Sequence, residues 1–198
     1  CSCTNPAVTE ANPYYFRVCF LDPFQGSVMA SFAKDQFGAS NAYVLSMLGE
    51  DYGSGLATYF VNAFEALGGT VTNEQFPEGT SDFSAYIQNA INAGADVIFA
   101  PCATTYAAQI ITQAASAGFD KPITAGDTWE SSVILDAQKG TDVQVYCSTF
   151  FDENDDSGIA KEFVTGFKEW LNADSQKLTN NGGTLPPKPG DNKPDDTN

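Results

Sequence analysis

The chain has 198 residues and 42% hydrophobic content, enough for a domain of ordinary size with a real core. Its formal charge is -16, from 9 basic and 25 acidic residues. Nucleic acid, an anionic membrane surface and polyanionic ligands are therefore disfavoured, because clustered Lys and Arg are lacking. There is no histidine, which removes the commonest general base, the commonest zinc ligand and any Ser-His or Cys-His nucleophile pair.

The five cysteines are Cys1, Cys3, Cys19, Cys102 and Cys147, with no CxxC pair. An odd count is not a complete disulfide framework. Cys19 and Cys147 lie in apolar, strand-like runs, so buried thiols are the plain reading. A bond between them stays open if those strands are neighbours. No run approaches the roughly 18–20 consecutive apolar residues of a membrane span. No signal peptide is visible, and the chain starts without Met, as a processed or cut piece would.

In chain order, a small polar stretch over residues 1–12 precedes "YYFRVCFLD", which reads as a strand ended by Asp22-Pro23. "PFQGSVMASFAKDQFG" has helical spacing, with Pro23 suited to the first turn and Gly38 to the stop. "NAYVLSML" predicts a strand. "SGLATYFVNAFEALGG" predicts a helix with Leu56, Phe60, Phe64 and Leu67 on one face. "TVTNEQFP" alternates as a strand, and "SDFSAYIQNAINAG" follows as a helix with Ser81 as its N-cap. Strand "ADVIFAP", helix "TTYAAQIITQAASAG", strand "KPITAGD", short helix "SSVILDAQ" and strand "VQVYCSTFF" continue the alternation. A last amphipathic helix, "GIAKEFVTGFKEWLNAD", precedes a Pro-, Gly- and Asn-rich stretch that reads as a flexible tail. Alternation with short connections predicts an α/β, three-layer, doubly wound, mostly parallel sheet. In such sheets ligands bind beyond the carboxyl ends of the strands. The loops to search are then Asp22–Gln25, Gly49–Ser54, Pro101–Thr105 and Gly126–Ser131.

"GSGLAT" at 53–58 sits where a dinucleotide-binding glycine motif would, with Glu74 about twenty residues on. Thr58 occupies the third glycine position, and Glu50 and Asp51 would repel a pyrophosphate. Helix-start glycines beside solvated acids are the better reading. Tyr52, a large aromatic at a strand end, needs a partner or a ligand. In "AGDTWESS", Asp127 beside Trp129 suits an ammonium group by charge and by cation–π attraction. The rival reading has Asp127 capping the next short helix. Ala103 and Thr104 stand at a third strand mouth, where a Thr hydroxyl can cap the helix or touch a ligand. Glu78 and Asp82 read as a solvated face.

"NPYYFRVCFLDPFQGSVMASFA", "DYGSGLA", "LGGTV", "DFSAYIQNAINAGADVIFAP" and "ITAGDTW", in this order, resemble the branched-chain amino acid type of ABC-transporter solute-binding proteins, the type I periplasmic binding proteins. The resemblance runs from about Ser2 to Asp174. It implies one lobe of a two-lobed fold, with a small ligand held between lobes joined by hinge strands. Residues 1–12 would be the end of the first lobe and the approach to the hinge. Residues 13–150 would be the second, ligand-binding lobe. Residues 151–174 would hold the hinge exit and a return helix of the first lobe, and 175–198 the flexible tail.

The resemblance also implies roles. Ser2 and Thr4 match the stretch that holds an amino acid's carboxylate, and Asp127 matches the acid that holds its ammonium. Tyr52 lines the ligand, with Gly53 and Gly55 making room for the backbone. Ala103 and Thr104 stand where many relatives carry a Tyr pair, which implies a roomier or differently polar pocket. Cys19 and Cys147 fall on the two hinge connections, so the resemblance places them on adjacent crossover strands. The implied function is extracytoplasmic capture of an amino acid, of branched-chain type, or a related small polar solute for ABC permease subunits. No catalysis, cofactor, metal or nucleic acid is implied, and the membrane is met only through a lipid anchor of the parent. The alternatives are a ligand-sensing module of a receptor and, more remotely, a nucleotide-dependent enzyme using the GSGLAT turn.

Overall fold

The structure is a computed structural model and describes residues 3–10 and 13–173. Ser2, and residues 175–198 read as a tail, lie outside the described residues. The chain divides into two compact units, one running to Phe150 and one starting at Phe151.

The first unit begins with a single turn, α1 (Ala7–Glu10), and continues with α2 (Asp22–Phe37), β1 (Asn41–Met47), α3 (Asp51–Ala66), β2 (Thr70–Phe76), α4 (Ser84–Asn92) and β3 (Val97–Phe99). Helix α5 (Thr104–Ser116), β4 (Ile123–Ala125), a 3-10 turn over Asp127–Trp129, α6 (Ser132–Gln138) and β5 (Val145–Cys147) complete it. The five strands form one sheet in the order β2-β1-β3-β4-β5. Every pairing is parallel; for example, Tyr43 stands opposite Ile98, and Ala125 opposite Cys147. The order reverses direction between β1 and β3. That switch point opens a crevice at the carboxyl end of the sheet.

The period-2 alternation of side chains builds the two outer layers. From β1 and β3, Ala42, Val44, Val97 and Phe99 point to α2 and α3, where they bury Met29, Leu56, Phe60 and Phe64. Tyr43, Leu45 and Ile98 point the other way, onto Ile87 of α4, Ile110 and Ile111 of α5, and Ile134 of α6. Phe60 stacks on Phe99 with ring centroids 4.1 Å apart. Burying each such ring is worth about 1.5–3 kcal/mol. Helices α2 and α3 approach closely because Gly26 has no side chain; a Cβ there would lie 2.7 Å from Tyr59 Cβ.

Three local expectations change. Residues 15–20 form no strand. Among the described residues they have no neighbouring strand to pair with, and Tyr14, Phe16 and Val18 are more than three-quarters exposed. Cys19 therefore lies outside the sheet, and both its thiol and that of Cys147 on β5 are free. Ser81 does not cap α4, which starts three residues later. Its carbonyl instead accepts from the Gln113 side chain at 2.8 Å, and the Asp82 carboxylate accepts from the Ser84 N–H at 3.0 Å. Helix α2 does stop at Gly38, whose φ of 63° lies in the left-handed region that favours glycine.

The described part of the second unit is centred on α7 (Gly158–Ala173). Phe163, Phe167 and Trp170 recur at helical spacing and stack in series, with centroids 5.7 and 6.0 Å apart. Among the described residues no helix is long and apolar enough to cross a membrane.

Candidate functional site

The carboxyl-end crevice holds a concavity of about 540 Å³, bordered by Thr4, Asn5, Asp51, Tyr52, Asp127 and Thr128. Three chain segments build it. Tyr52 stands in the first turn of α3, directly after β1. Asp127 and Thr128 stand on the 3-10 turn after β4. Thr4 and Asn5 come from the segment before α1. Arg17 fastens that segment to the lobe: its guanidinium donates to the carbonyls of Cys3 at 2.9 Å and Asn5 at 2.7 Å, and to the Thr9 hydroxyl at 2.8 Å. The Asp22 N–H adds a bond to the Thr4 carbonyl at 3.0 Å.

At the centre, the Tyr52 hydroxyl donates to Asp127 Oδ1 at 2.9 Å. The Gln25 side-chain N–H donates to the same oxygen at 2.9 Å. Burial pushes the Tyr52 phenol above its ordinary range, and the Asp127 charge pushes the same way. The phenol is therefore a donor throughout the physiological range. Asp127 does not cap α6; Ser131 does, accepting from the Val133 N–H at 3.3 Å. The capping reading of Asp127 is thereby replaced.

Other site expectations also change. Trp129 is not on the rim. It is 1% exposed, packs in the core, and donates its indole N–H to the Cys102 carbonyl at 2.9 Å. On the tight 3-10 turn its ring falls inward, so the aromatic partner of Asp127 is Tyr52. Ala103 is the N-cap residue of α5 and offers no side-chain cap, and Thr104 begins that helix. Neither borders the concavity. Gly53 and Gly55 separate in role. A Cβ on Gly53 would collide with the Pro101 carbonyl, whereas one on Gly55 would meet nothing within 4 Å. Because α3 already starts at Asp51, these glycines lie inside a helix and form no phosphate-cradling loop. The nucleotide reading of GSGLAT is overturned on that geometry.

Asp22 and Gln25 are the residues that sequence reasoning passed over. Their loop was among the four strand-end segments to search, but nothing in it marked these two side chains as polar and buried. Asp22 is wholly buried, and neither carboxylate oxygen reaches hydrogen-bond geometry. Burial raises its pKa, and the nearby Thr4, Gln25 and Arg17 hold that rise back. Burial likewise raises the carboxyls of Glu50 and Asp127. Gly53 opposes the rise at Glu50, and the Tyr52 bond opposes it at Asp127, where Asp22 and Glu130 add to it.

A raised folded-state pKa means that the folded chain prefers the protonated acid. The stability that goes with that proton is complete below the ordinary aspartate value of about 3.9 and is lost as pH rises through the folded value. Asp22→Asn keeps the neutral form at every pH. It is expected to melt higher than the wild type at pH 7, by about 2–4 °C for each kcal/mol recovered. The gap should close as the pH is taken down towards about 4. A lower melting temperature at pH 7 would show that Arg17 already compensates the charge.

A second groove, of about 490 Å³, runs between α2 and β5 and is walled by Phe20, Phe24, Val28, Met29 and Phe32. It gathers no charged side chain, whereas the Tyr52–Asp127 concavity gathers two acids and a phenol.

A family profile described as "Periplasmic binding protein" matches residues 2–182. The chain belongs to the periplasmic binding protein family. A leucine binding protein, LivK, from Thermotoga maritima is 35% identical, with a TM-score of 0.77; the match covers 84% of this chain and 48% of that one. The branched-chain amino acid transporter substrate binding protein LivJ from Streptococcus pneumoniae, in complex with isoleucine, is 24% identical, with a TM-score of 0.66 over 78% of this chain and 44% of that one. A solute binding protein of an ABC transporter from R. palustris, in complex with 4-hydroxybenzoate, shares the fold at 20% identity and a TM-score of 0.63, over 80% and 44% of the two chains. No curated protein matches. This periplasmic-binding-protein chain spans about half the length of the solved relatives it matches. Its parallel sheet and flanking helices are those of one lobe of the type I fold.

Proposed function

We propose that the chain is a ligand-binding lobe of an extracytoplasmic ABC-transporter solute-binding protein, and that Asp127 receives the ammonium of an amino acid. The observation that carries this reading is the Asp127 carboxylate. Tyr52 and Gln25 both bond to its Oδ1, which leaves Oδ2 for a ligand donor at the edge of the concavity. No Lys or Arg is among the residues that border the cavity, and Asp51 adds a second acid. Its field therefore favours a cation over a carboxylate that lacks an amine. Thr4, which is 2% exposed at the border of the concavity, and Ser2, outside the described residues, take their carboxylate-side roles from the resemblance. In a two-lobed parent the other lobe closes over the ligand, and the permease reads the closure.

The test uses amide NMR of this chain with four probes: L-leucine, 3-methylbutylamine, 4-methylpentanoate and 4-hydroxybenzoate. The two ammonium probes are expected to shift Tyr52, Asp127 and Thr128. The two carboxylates without an amine are expected to leave them unmoved. A response to 4-hydroxybenzoate and none to L-leucine would reverse the assignment of ligand class.

A further inference from the structure

We infer that Gln25 is the positioning residue that aims Asp127 at the ligand, gripping that residue's backbone N–H and its Oδ1 with the two ends of one buried amide. The inference rests on the ammonium reading of Asp127 given above. Gln25 is 1% exposed and lies in the first turn of α2. Its N–H donates to Asp127 Oδ1 at 2.9 Å, while its Oε1 accepts from the Asp127 N–H at 3.1 Å and from the Ser148 hydroxyl at 2.8 Å.

The orientation of the amide is determined by one partner. A backbone N–H can only donate, so Oε1 must face it and the NH2 group must face the carboxylate. Gln25 and Tyr52 then place two donors on the same oxygen, which restricts rotation of the carboxylate and keeps Oδ2 towards the cavity. A buried polar group is stable only when its bonds are made, and here both ends of the amide are used. Ser148, directly after β5, ties a third element to the same amide. Gly126 leaves the room: a Cβ there would come within 3.0 Å of Gln25 Oε1. An apolar side chain of equal length would fill the space and hold nothing, and a Glu would set carboxylate against carboxylate.

The test is Gln25→Met, followed by carboxyl-carbon NMR of Asp127 across pH and by L-leucine titration, with folding checked by circular dichroism. Loss of one charge-assisted bond is expected to raise the Asp127 midpoint by about one unit and to weaken leucine by about tenfold. The acid limb of leucine binding should move up with the midpoint, which a merely structural loss would not cause. Gln25→Glu serves if the Met variant does not fold: two acids in contact must titrate as a coupled pair, and two independent midpoints would overturn the contact. A folded Gln25→Met with unchanged midpoint and unchanged leucine affinity overturns the role of Gln25 alone. A wild-type chain indifferent to every ammonium probe overturns the ligand reading and this inference with it, whether or not the midpoint moves.

Discussion

Asp127→Asn is expected to weaken L-leucine by roughly ten- to a hundredfold, the worth of a hydrogen bond to a charged group. The substitution keeps the size of the side chain and leaves an oxygen that can still accept from Tyr52. It removes the charge that an ammonium pairs with. It also removes a half-buried carboxylate whose pKa is raised, chiefly by desolvation. The variant should therefore be no less stable than the wild type near neutral pH while binding less. That separation of stability from affinity distinguishes a ligand group from a structural one. In the wild type, affinity should fall as pH drops through the raised Asp127 value, because protonation removes the same charge. The variant should lack that acid limb. Calorimetry of both proteins with L-leucine across pH measures all of this. Equal affinity at neutral pH would remove Asp127 from the site.

Gly126→Ala is expected to damage fold and site together. The requirement at this glycine is space, since its φ of -82° is open to any residue. A Cβ would collide with the Tyr52 hydroxyl and lie 2.7 Å from Leu56 Cδ2. Leu56 is fully buried in the core under α3, so it has no free direction in which to yield. Overpacking of this kind costs about 1–3 kcal/mol. Tyr52 is the group most able to move, and its movement breaks the bond to Asp127. Urea denaturation should show the lost stability, and leucine titration a weakened site. Gly55→Ala is the control. It meets nothing within 4 Å inside α3 and should gain up to about 1 kcal/mol from helix propensity. Equal behaviour of the two variants would mean that the β4 turn and α3 are not packed as described.

The layered architecture was legible in local pattern alone. Hydrophobic periodicity switching between 2 and 3.6 is a local property, written into "NAYVLSML" and the run from Leu56 to Leu67, and the sheet and helices followed it. It also marked Tyr52 and Asp127, because the alternation of strand and helix sends their loops to one edge of a parallel sheet. Tertiary structure decided what those loops do. Trp129 and Asp127 are two residues apart, yet a 3-10 turn sends one into the core and presents the other. "YYFRVCFLD" has strand composition and makes no strand, because a ladder needs a neighbour that local composition cannot supply. Gln25 meets Asp127 across 102 positions of chain. That pairing depends on strand order, on the absence of a side chain at Gly126 and on the burial of an amide. None of these is a property of the residues next to Gln25, so only the assembled fold could show it.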